Sequence, residues 1–203
     1  MTTQQERLRQ TETVIIEALL KIGKTKPLSQ ISISDISRAS GINRGTFYLH
    51  YLDKNDLINQ ITTRLVNQIQ TILDNEMSGA MNYRYFSADE PYPVIQHLVD
   101  VVADNKLLLR FLLGPNGDSE FYLTITKKLQ KAILQELKRV KGTNSFRPDV
   151  PSKYAIRLIT NVILTIITTW IEVPDNLSKE AVCQLIMKAL YLSPYNMLGI
   201  NNK

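Results

Sequence analysis

The chain has 203 residues, of which 44% are hydrophobic and 21% charged, values typical of a folded globular protein rather than a disordered one. A chain of this length can bury a sufficient core without metals or disulfides. The single cysteine, Cys183, excludes an internal disulfide, and the two histidines, His50 and His97, offer no zinc-ligand spacing. The net charge of +5 favours a polyanionic partner, but only weakly.

The sequence predicts a cytoplasmic protein with no membrane partner. Residues 1–10 are polar and lack the apolar core of a signal peptide. Residues 158–173 are the segment to test for membrane insertion, but they contain Asn161, four threonines and Glu172. They are also shorter than the roughly 20 residues that a spanning helix needs. We expect a buried helix there.

Apolar residues recur at helical spacing between sparse glycines and prolines, and no window alternates like a strand, so we expect an all-α fold. Residues 78–92 are expected to be irregular, and Ser32, Asn43 and Asp53 to be helix N-caps, Ser32 in an approximate capping box with Asp35. The predicted helices cover residues 5–22, 33–40, 44–51, 54–77, 93–104, 106–113, 119–141, 152–173 and 178–192.

Residues 32–51 have the pattern of a helix-turn-helix, with Gly41 in the turn. The second short helix of such a motif lies in the DNA major groove, with its N-terminal residues nearest the bases. The alternative is a helical hairpin without a role in DNA binding. The residues expected to form the small core of the motif are Ile36, Ala39, Ile42, Phe47 and Tyr51.

The exposed residues of the second short helix have the chemistry of DNA contacts. Arg44 can bind guanine O6 and N7, and Gly45 lets the backbone approach DNA closely. Thr46 offers a hydroxyl and a methyl group for phosphate or thymine. Contacts to phosphate are also expected from Tyr48, His50 and Lys54.

Residues 36–58 read ISRASGINRGTFYLHYLDKNDLI and closely resemble the DNA-binding signature of the tetracycline-repressor (TetR/AcrR) family of bacterial regulators. The resemblance covers about residues 12–59. It implies a three-helix DNA-binding domain, residues 1–52, followed by a helical bundle, residues 53–203, that binds a ligand and dimerises. Residues 111–121 and 170–180 resemble the regulatory domain that is common in Firmicutes members of the family.

The resemblance also implies roles for single residues. It places Arg44 at a base edge, Thr46 and Tyr48 on DNA, and Lys54 on phosphate, and it adds Ser34 as a backbone or base contact. Two positions depart from the family's pattern. Leu49 replaces a commonly polar or aromatic residue that contributes to base reading, and Leu52 stands where proline or a polar residue is common.

Two C-terminal helices have apolar faces that favour dimerisation. Residues 154–171 are apolar nearly all round the helix, so this helix must be buried on every side. Two such helices per subunit would make a four-helix interface in a homodimer, although an intramolecular core is the alternative and the periodicity does not say which face meets the partner. The residues expected at the interface are Ile159, Ile163, Ile166, Ile167, Leu185, Ile186 and Ala189.

Several aromatic residues are candidates for lining an apolar effector pocket, with ordinary core packing as the alternative for each of them. They are Phe111, Phe121, Tyr122 and Trp170. Cys183 is expected to be a buried, inert thiol. The basic run at residues 127–141 is expected to be a solvated helix face.

The sequence contains no catalytic, phosphate-binding or dinucleotide-binding motif, so neither an enzyme activity nor a cofactor or metal is expected. We expect a homodimeric repressor that binds a palindromic double-stranded DNA operator and is released by a small-molecule effector. One alternative is an adaptor or co-activator of the same fold that acts through a protein partner, and another is a ligand-binding or enzymatic bundle. The sequence identifies neither the effector nor the operator.

Overall fold

The computed structural model describes residues 3–82, 84–85, 90–173, 177–191 and 198. No strand occurs in these residues, and the expectation of an all-α fold is confirmed. The helices are α1 (Gln4–Gly23), α2 (Ile33–Ser40), α3 (Arg44–Tyr48), α4 (Lys54–Glu76), α5 (Pro93–Asp104), α6 (Lys106–Leu113), α7 (Ser119–Lys141), α8 (Ser152–Glu172) and α9 (Lys179–Tyr191), with a 3₁₀ turn at Leu28–Gln30 between α1 and α2.

The predicted helix bounds agree closely with the structure except at α3. That helix ends at Tyr48, three residues before the predicted end, because the chain turns at residues 49 and 50. The predicted end of the last helix at Leu192 lies outside the described residues, as do residues 83 and 86–89 of the segment expected to be irregular.

The predicted capping box at the start of α2 is confirmed. The backbone N–H of Asp35 donates to Ser32 Oγ at 3.2 Å, and the backbone N–H of Ser32 donates to the Asp35 carboxylate at 2.9 Å. Lys26 donates to the same carboxylate at 2.6 Å and, with the Ser32 bonds, holds the pKa of Asp35 well below its usual range. The carboxylate therefore joins the N-terminus of α2 to the loop after α1.

Contacts between residues divide the chain into two compact units. The first contains the chain up to Val66 together with Leu107–Tyr122, and the second contains Asn67–Lys106 and the chain from Leu123 onward. This division is based on contacts between residues and does not define functional domains. The functional boundary after residue 52 stays a prediction.

In the first unit, α1 packs against α2 and α2 packs against α3. The segment Leu107–Tyr122 joins them through Phe111, whose ring lies so close to Gly23 that a Cβ on Gly23 would be 2.3 Å from it. The backbone N–H of Leu28 donates to the carbonyl of Asn116 at 2.8 Å. The core side chains of α1 to α4 that are at most 2% exposed include Ile15, Leu19, Ile36, Phe47, Leu57 and Ile61.

One expected core residue of the helix-turn-helix is placed differently. Ala39 is exposed, and Ile42 is only half-buried. The inward stripe of α2 runs through Ile33, Ile36, Ser37 and Ser40, at the spacing of one helix face. Ala39 lies about 110° from the centre of that stripe at 100° per residue, which explains its exposure.

In the second unit, α9 packs against α8 and α5, and Lys179 of α9 pairs with Asp100 of α5 at 2.5 Å. Cys183 lies in this core, and burial raises the pKa of its thiol to about 11, so the expected buried thiol is confirmed. His97 is on the surface, where its ring contacts the Glu76 carboxylate at 2.5 Å. That carboxylate raises the pKa of His97.

The part of helix α7 that belongs to the second unit carries a buried carboxylate. Glu136 is almost fully buried, accepts two hydrogen bonds from Arg139 at 2.6 and 2.7 Å, and accepts a third from the backbone N–H of Gly79 at 2.8 Å. The bonds from Arg139 are the main cause of the lowered pKa of Glu136. Glu136 therefore joins α7 to the turn that follows α4.

Among the described helices, α8 alone has the length and apolar composition that would allow it to cross a membrane. Its most apolar window has a mean hydropathy of 1.5 and is 39% buried. Core helices of soluble proteins can be equally long and apolar, so these two properties are weak evidence for a membrane span.

We predict that Ser37→Ala stabilises the protein. The Ser37 hydroxyl is buried and has no hydrogen-bond partner among the described residues. Ser40→Ala on the same helix is the matched control, because Ser40 Oγ donates to the Ile36 carbonyl at 2.7 Å. Both changes gain the same helix propensity. In urea unfolding, the free energy of unfolding should therefore be higher for Ser37→Ala than for Ser40→Ala by about 1 kcal/mol, and equal values would contradict this reading.

We predict that Glu136→Gln lowers the free energy of unfolding at neutral pH, because the ionised carboxylate is held by Arg139. The folded-state pKa of Glu136 lies below its ordinary value of 4.5, so its stabilising effect is complete above that value and is lost as the pH falls through the folded-state pKa. Denaturant unfolding across this range should show the gap between variant and wild type closing in acid. A gap that stays constant would show that charge is not its cause, and Glu172→Gln, at an exposed residue, is the control.

Candidate DNA-binding surface

A tight turn at Gly41 joins α2 to α3. Gly41 has a φ of 72°, in the left-handed region that side chains other than glycine rarely adopt. Asn43 then caps α3 as predicted, since its Oδ1 accepts from the backbone N–H of Thr46 at 2.7 Å and from the Thr46 hydroxyl at 3.1 Å. The turn and the cap together set the direction in which α3 leaves the motif.

Helix α3 is only five residues long, and packing holds it in place. Phe47 and Tyr51 are at most 1% exposed, and their ring centroids lie 5.6 Å apart. The backbone N–H of Tyr51 still donates to the Phe47 carbonyl at 3.0 Å, although the regular helix has ended. With these two rings turned inward, Thr46, Gly45 and Leu49 lie on the outward side of α3.

Several predicted DNA-binding residues are exposed or half-buried on α3 or just beyond it. Arg44 is exposed at the first turn of α3, and its guanidinium donates to Ser34 Oγ at the start of α2. Tyr48 is 54% exposed, and its ring meets Phe47 edge-on at 5.8 Å. Thr46 and His50 are half-buried.

Lys54, predicted to contact phosphate, has partners within the protein. Its ammonium donates to the carbonyls of Leu28 at 2.8 Å and Ser29 at 3.2 Å, in the 3₁₀ turn before α2. An ammonium has three donors, so these two bonds leave one for another acceptor. This contact could not be predicted from local sequence, because 25 residues or more separate Lys54 from its partners.

Two exposed leucines flank the end of α3. Leu49 and Leu52 are each 82% exposed, more than any other large apolar side chain in the described part of the chain. Leu52 lies beyond the helix, where its backbone N–H donates to the Asp56 carboxylate at 2.8 Å. Asp53 caps α4 as predicted, accepting from the backbone N–H of Asp56 at 2.8 Å.

The predicted pocket residues are divided between the two units. Phe111, Phe121 and Tyr122 belong to the first unit, where the two phenylalanines are buried and Tyr122 is partly exposed. Trp170 belongs to the second unit and is buried. Its indole N–H donates to the Leu177 carbonyl at 2.9 Å, and the Lys106 ammonium lies 4.9 Å from its ring.

The predicted interface residues differ in burial within the chain. Ile167 and Ile186 are buried in the core of the second unit. Leu185 is 41% exposed on α9. Leu158, which precedes Ile159 on α8 and was not among the predicted residues, is 64% exposed. The half-buried members of the predicted set are Ile159, Ile163, Ile166 and Ala189.

Family models match both parts of the chain. The model for bacterial regulatory proteins of the tetR family matches residues 15–61, which include α2, α3 and the start of α4. A second TetR model, which describes the C-terminal region of transcriptional regulators, matches residues 89–191.

Curated relatives are helix-turn-helix regulators. The uncharacterized HTH-type transcriptional regulator YvdT of Bacillus subtilis (strain 168) is 23% identical over 152 residues, which are 73% of this chain and 76% of that protein. The HTH-type transcriptional regulator AcrR of Shigella flexneri is 21% identical over 195 residues, covering 88% of this chain and 87% of that protein.

Solved structures share the fold at low sequence identity. A TetR transcriptional regulator from Streptococcus agalactiae 2603V has a TM-score of 0.57 at 15% identity, covering 92% of this chain and 97% of that one. A TetR-family member from Streptomyces coelicolor A3 has a TM-score of 0.61 at 16% identity, covering 87% and 89%. With both family models matching, the chain belongs to the tetR family of bacterial transcriptional regulators, which are DNA-binding proteins and not enzymes.

Proposed function

We propose that this regulator is a cytoplasmic, homodimeric repressor, in which residues 1–52 bind a palindromic DNA operator and residues 53–203 dimerise and bind a small-molecule effector. The observation that carries the proposal is the outward side of α3. Its core-facing rings are buried, and Arg44, Thr46 and Tyr48 lie around a glycine that leaves the backbone open to approach. No cofactor or metal is part of the proposal.

Arg44 is the residue we assign to base reading. Its position at the first turn of α3 is the part of a recognition helix that lies nearest the bases. The hydrogen bond to Ser34 restrains the guanidinium before DNA arrives, which reduces the conformational entropy lost on binding. A guanidinium binds guanine O6 and N7 with two parallel hydrogen bonds. Ser34 and Arg44 then act as a pair in the operator complex.

Lys54 is the residue we assign to phosphate. It stands at the first residue of α4, where unbonded backbone N–H groups favour an anion. Its two bonds to the 3₁₀ turn hold the ammonium in place and leave a donor for a phosphate oxygen. Tyr48 and His50 contribute further contacts to the DNA backbone.

The dimer interface is proposed on the exposed edge of α8 and α9. Leu158, Val162 and Ile166 follow one another at four-residue spacing and therefore lie on one side of α8. Leu185 and Ala189, four residues apart, lie on one side of α9, which packs against α8. Ile159 and Ile163 lie next to this edge, whereas Ile167 and Ile186 support it from the core.

Release by an effector requires only that the effector binds one conformation of the dimer better than another. Phe111, Phe121 and Tyr122, all in the first unit, are proposed pocket residues, and Trp170 of the second unit is a separate candidate. Phe111 packs against Gly23 at the end of α1. A ligand that displaces this ring would therefore act directly on a helix that supports α2.

Arg44→Ala and Lys54→Ala should weaken DNA binding in different ways. In a gel-shift or anisotropy titration with DNA from upstream of the protein's own gene, Arg44→Ala should cost about 1–3 kcal/mol and relax the preference at one base pair of each half-site. Lys54→Ala should weaken binding to specific and random DNA alike and lower the salt slope by about one.

Because Lys54 also bonds to the 3₁₀ turn, thermal unfolding of Lys54→Ala must accompany its binding curve, and Lys54→Arg is the control that keeps the charge. Equal losses on specific and random DNA for both alanine variants would remove Arg44 from base reading. Wild-type binding that is no tighter to upstream DNA than to random DNA would contradict operator binding, if a random-library selection also fails.

Leu158→Asp and Leu185→Asp should dissociate the dimer while the subunit stays folded. Both residues are exposed within the chain, so a charge there should disrupt contact with a partner subunit without destabilising the core of its own subunit. Sedimentation velocity should show a monomer with an unchanged helical circular dichroism spectrum, and operator affinity should collapse because a monomer contacts only half the site.

Ile186→Asp is the contrasting variant, because it places an unpaired charge in the core of the second unit and should unfold it. Lys188→Asp, at an exposed polar position on α9, controls for added negative charge. A dimer that survives both leucine substitutions together would place the interface elsewhere.

A further inference from the structure

Leu49 is unusual for its position and not only for its exposure. Single apolar side chains on a protein surface are common and need no explanation. Leu49, however, is 82% exposed at the end of the helix that we propose enters the major groove. It makes no contribution to the core that would account for a leucine there.

The geometry of α3 turns Leu49 outward. Leu49 follows the buried Phe47 by two residues, so it lies about 200° around the helix from it. Its backbone N–H donates to the Gly45 carbonyl at 3.2 Å, which keeps it in helical register although the regular helix has ended. Gly45, four residues earlier, lies on the same face and has no side chain to cover it. Leu49 is therefore the large apolar group on the outward face of α3.

We propose that Leu49 is a specificity-determining residue that selects a thymine in each operator half-site by packing against its C5 methyl group. The proposal rests on operator binding through α3. A leucine side chain has no hydrogen-bond donor or acceptor, and the thymine methyl is the apolar group that a base pair presents in the major groove. At any other base pair the side chain would cover amino or carbonyl groups without bonding them, which is unfavourable.

The thymine is a different base from the one bound by Arg44. Leu49 comes five residues after Arg44, which is about 7.5 Å along a helix axis and about 140° around it. Side chains that far apart reach neighbouring base pairs rather than the same one. Each half-site should therefore contain a base pair read by hydrogen bonds and, near it, a thymine read by its methyl group.

Leu52 provides a matched control. It has the same exposure as Leu49, but it lies beyond α3, next to the start of α4. If exposed apolar area near the motif were all that mattered, Leu49→Ala and Leu52→Ala would behave alike. Neither substitution removes a core contact, so both variants should keep the wild-type unfolding curve.

The test begins with an operator selected by the full-length protein from a random duplex library. Each thymine of that operator is then replaced in turn by deoxyuridine, which lacks only the C5 methyl group, at the symmetric position of both half-sites. The dissociation constants of wild type, Leu49→Ala and Leu52→Ala are measured on every duplex at one salt concentration.

At one symmetric thymine, deoxyuridine should weaken wild-type binding roughly fourfold per half-site, or about 15-fold for both, as expected for one buried methyl group each. The same replacement should leave the affinity of Leu49→Ala nearly unchanged, while Leu52→Ala should respond as wild type does. Leu49→Met, which keeps an apolar side chain, should retain part of the sensitivity.

Three results would overturn the proposal. Deoxyuridine could weaken wild type and Leu49→Ala equally at every thymine, or the selected half-site could contain no thymine that responds. Either result leaves operator binding intact and removes only the role of Leu49. If the library yields no enriched sequence, operator binding itself would be overturned, and the proposed recognition of thymine by Leu49 would be overturned with it.

Discussion

Every DNA contact proposed for α3 depends on the burial of two aromatic rings, Phe47 and Tyr51. A helix of five residues has little stability of its own in water, because nucleation costs more than so few hydrogen bonds return. The two rings attach α3 to the core built by α1, α2 and α4 and so determine which residues face outward. Asn43 satisfies one of the free N–H groups at the start of α3, that of Thr46.

The first unit is completed by a segment that lies far away in the sequence. Leu107–Tyr122 brings the Phe111 ring onto Gly23 and the Asn116 carbonyl onto the N–H of Leu28. The carbonyl of Leu28 in turn accepts from Lys54. The 3₁₀ turn before α2 is therefore bonded on one side to the α6–α7 loop and on the other to the first residue of α4. A movement of the α6–α7 loop would therefore be transmitted through two hydrogen bonds, by way of Leu28, to Lys54, a proposed phosphate contact.

Local features of this fold could be predicted from the sequence, and long-range features could not. Ser32, Asn43 and Asp53 cap helices through hydrogen bonds to residues three positions away, so a short window contains all the information needed. The family signature likewise lies within one stretch and identifies the motif. The early end of α3 was missed because apolar spacing continues through Tyr51, although the backbone leaves the helix after Tyr48.

The candidate site shows the same limit. The exposure of Ala39 was missed because the spacing of α2 allows two neighbouring faces, and only the packing against α1 selects one. The bonds from Lys54 to the 3₁₀ turn and the contact of Phe111 with Gly23 join residues that are distant in the chain. In the same way, periodicity showed that α8 and α9 are apolar, but not that Ile167 and Ile186 are used inside the subunit.

The isolation of Leu49 from the core has a consequence for how such a regulator can diverge. Because 82% of the Leu49 side chain is exposed, natural variation at this position should change the stability of the fold very little. Phe47, two residues away, has no such freedom, since its ring is fully enclosed. After gene duplication, a substitution at this one codon could therefore give the regulator a new set of target promoters. Selection for a soluble, folded protein would not remove such a substitution.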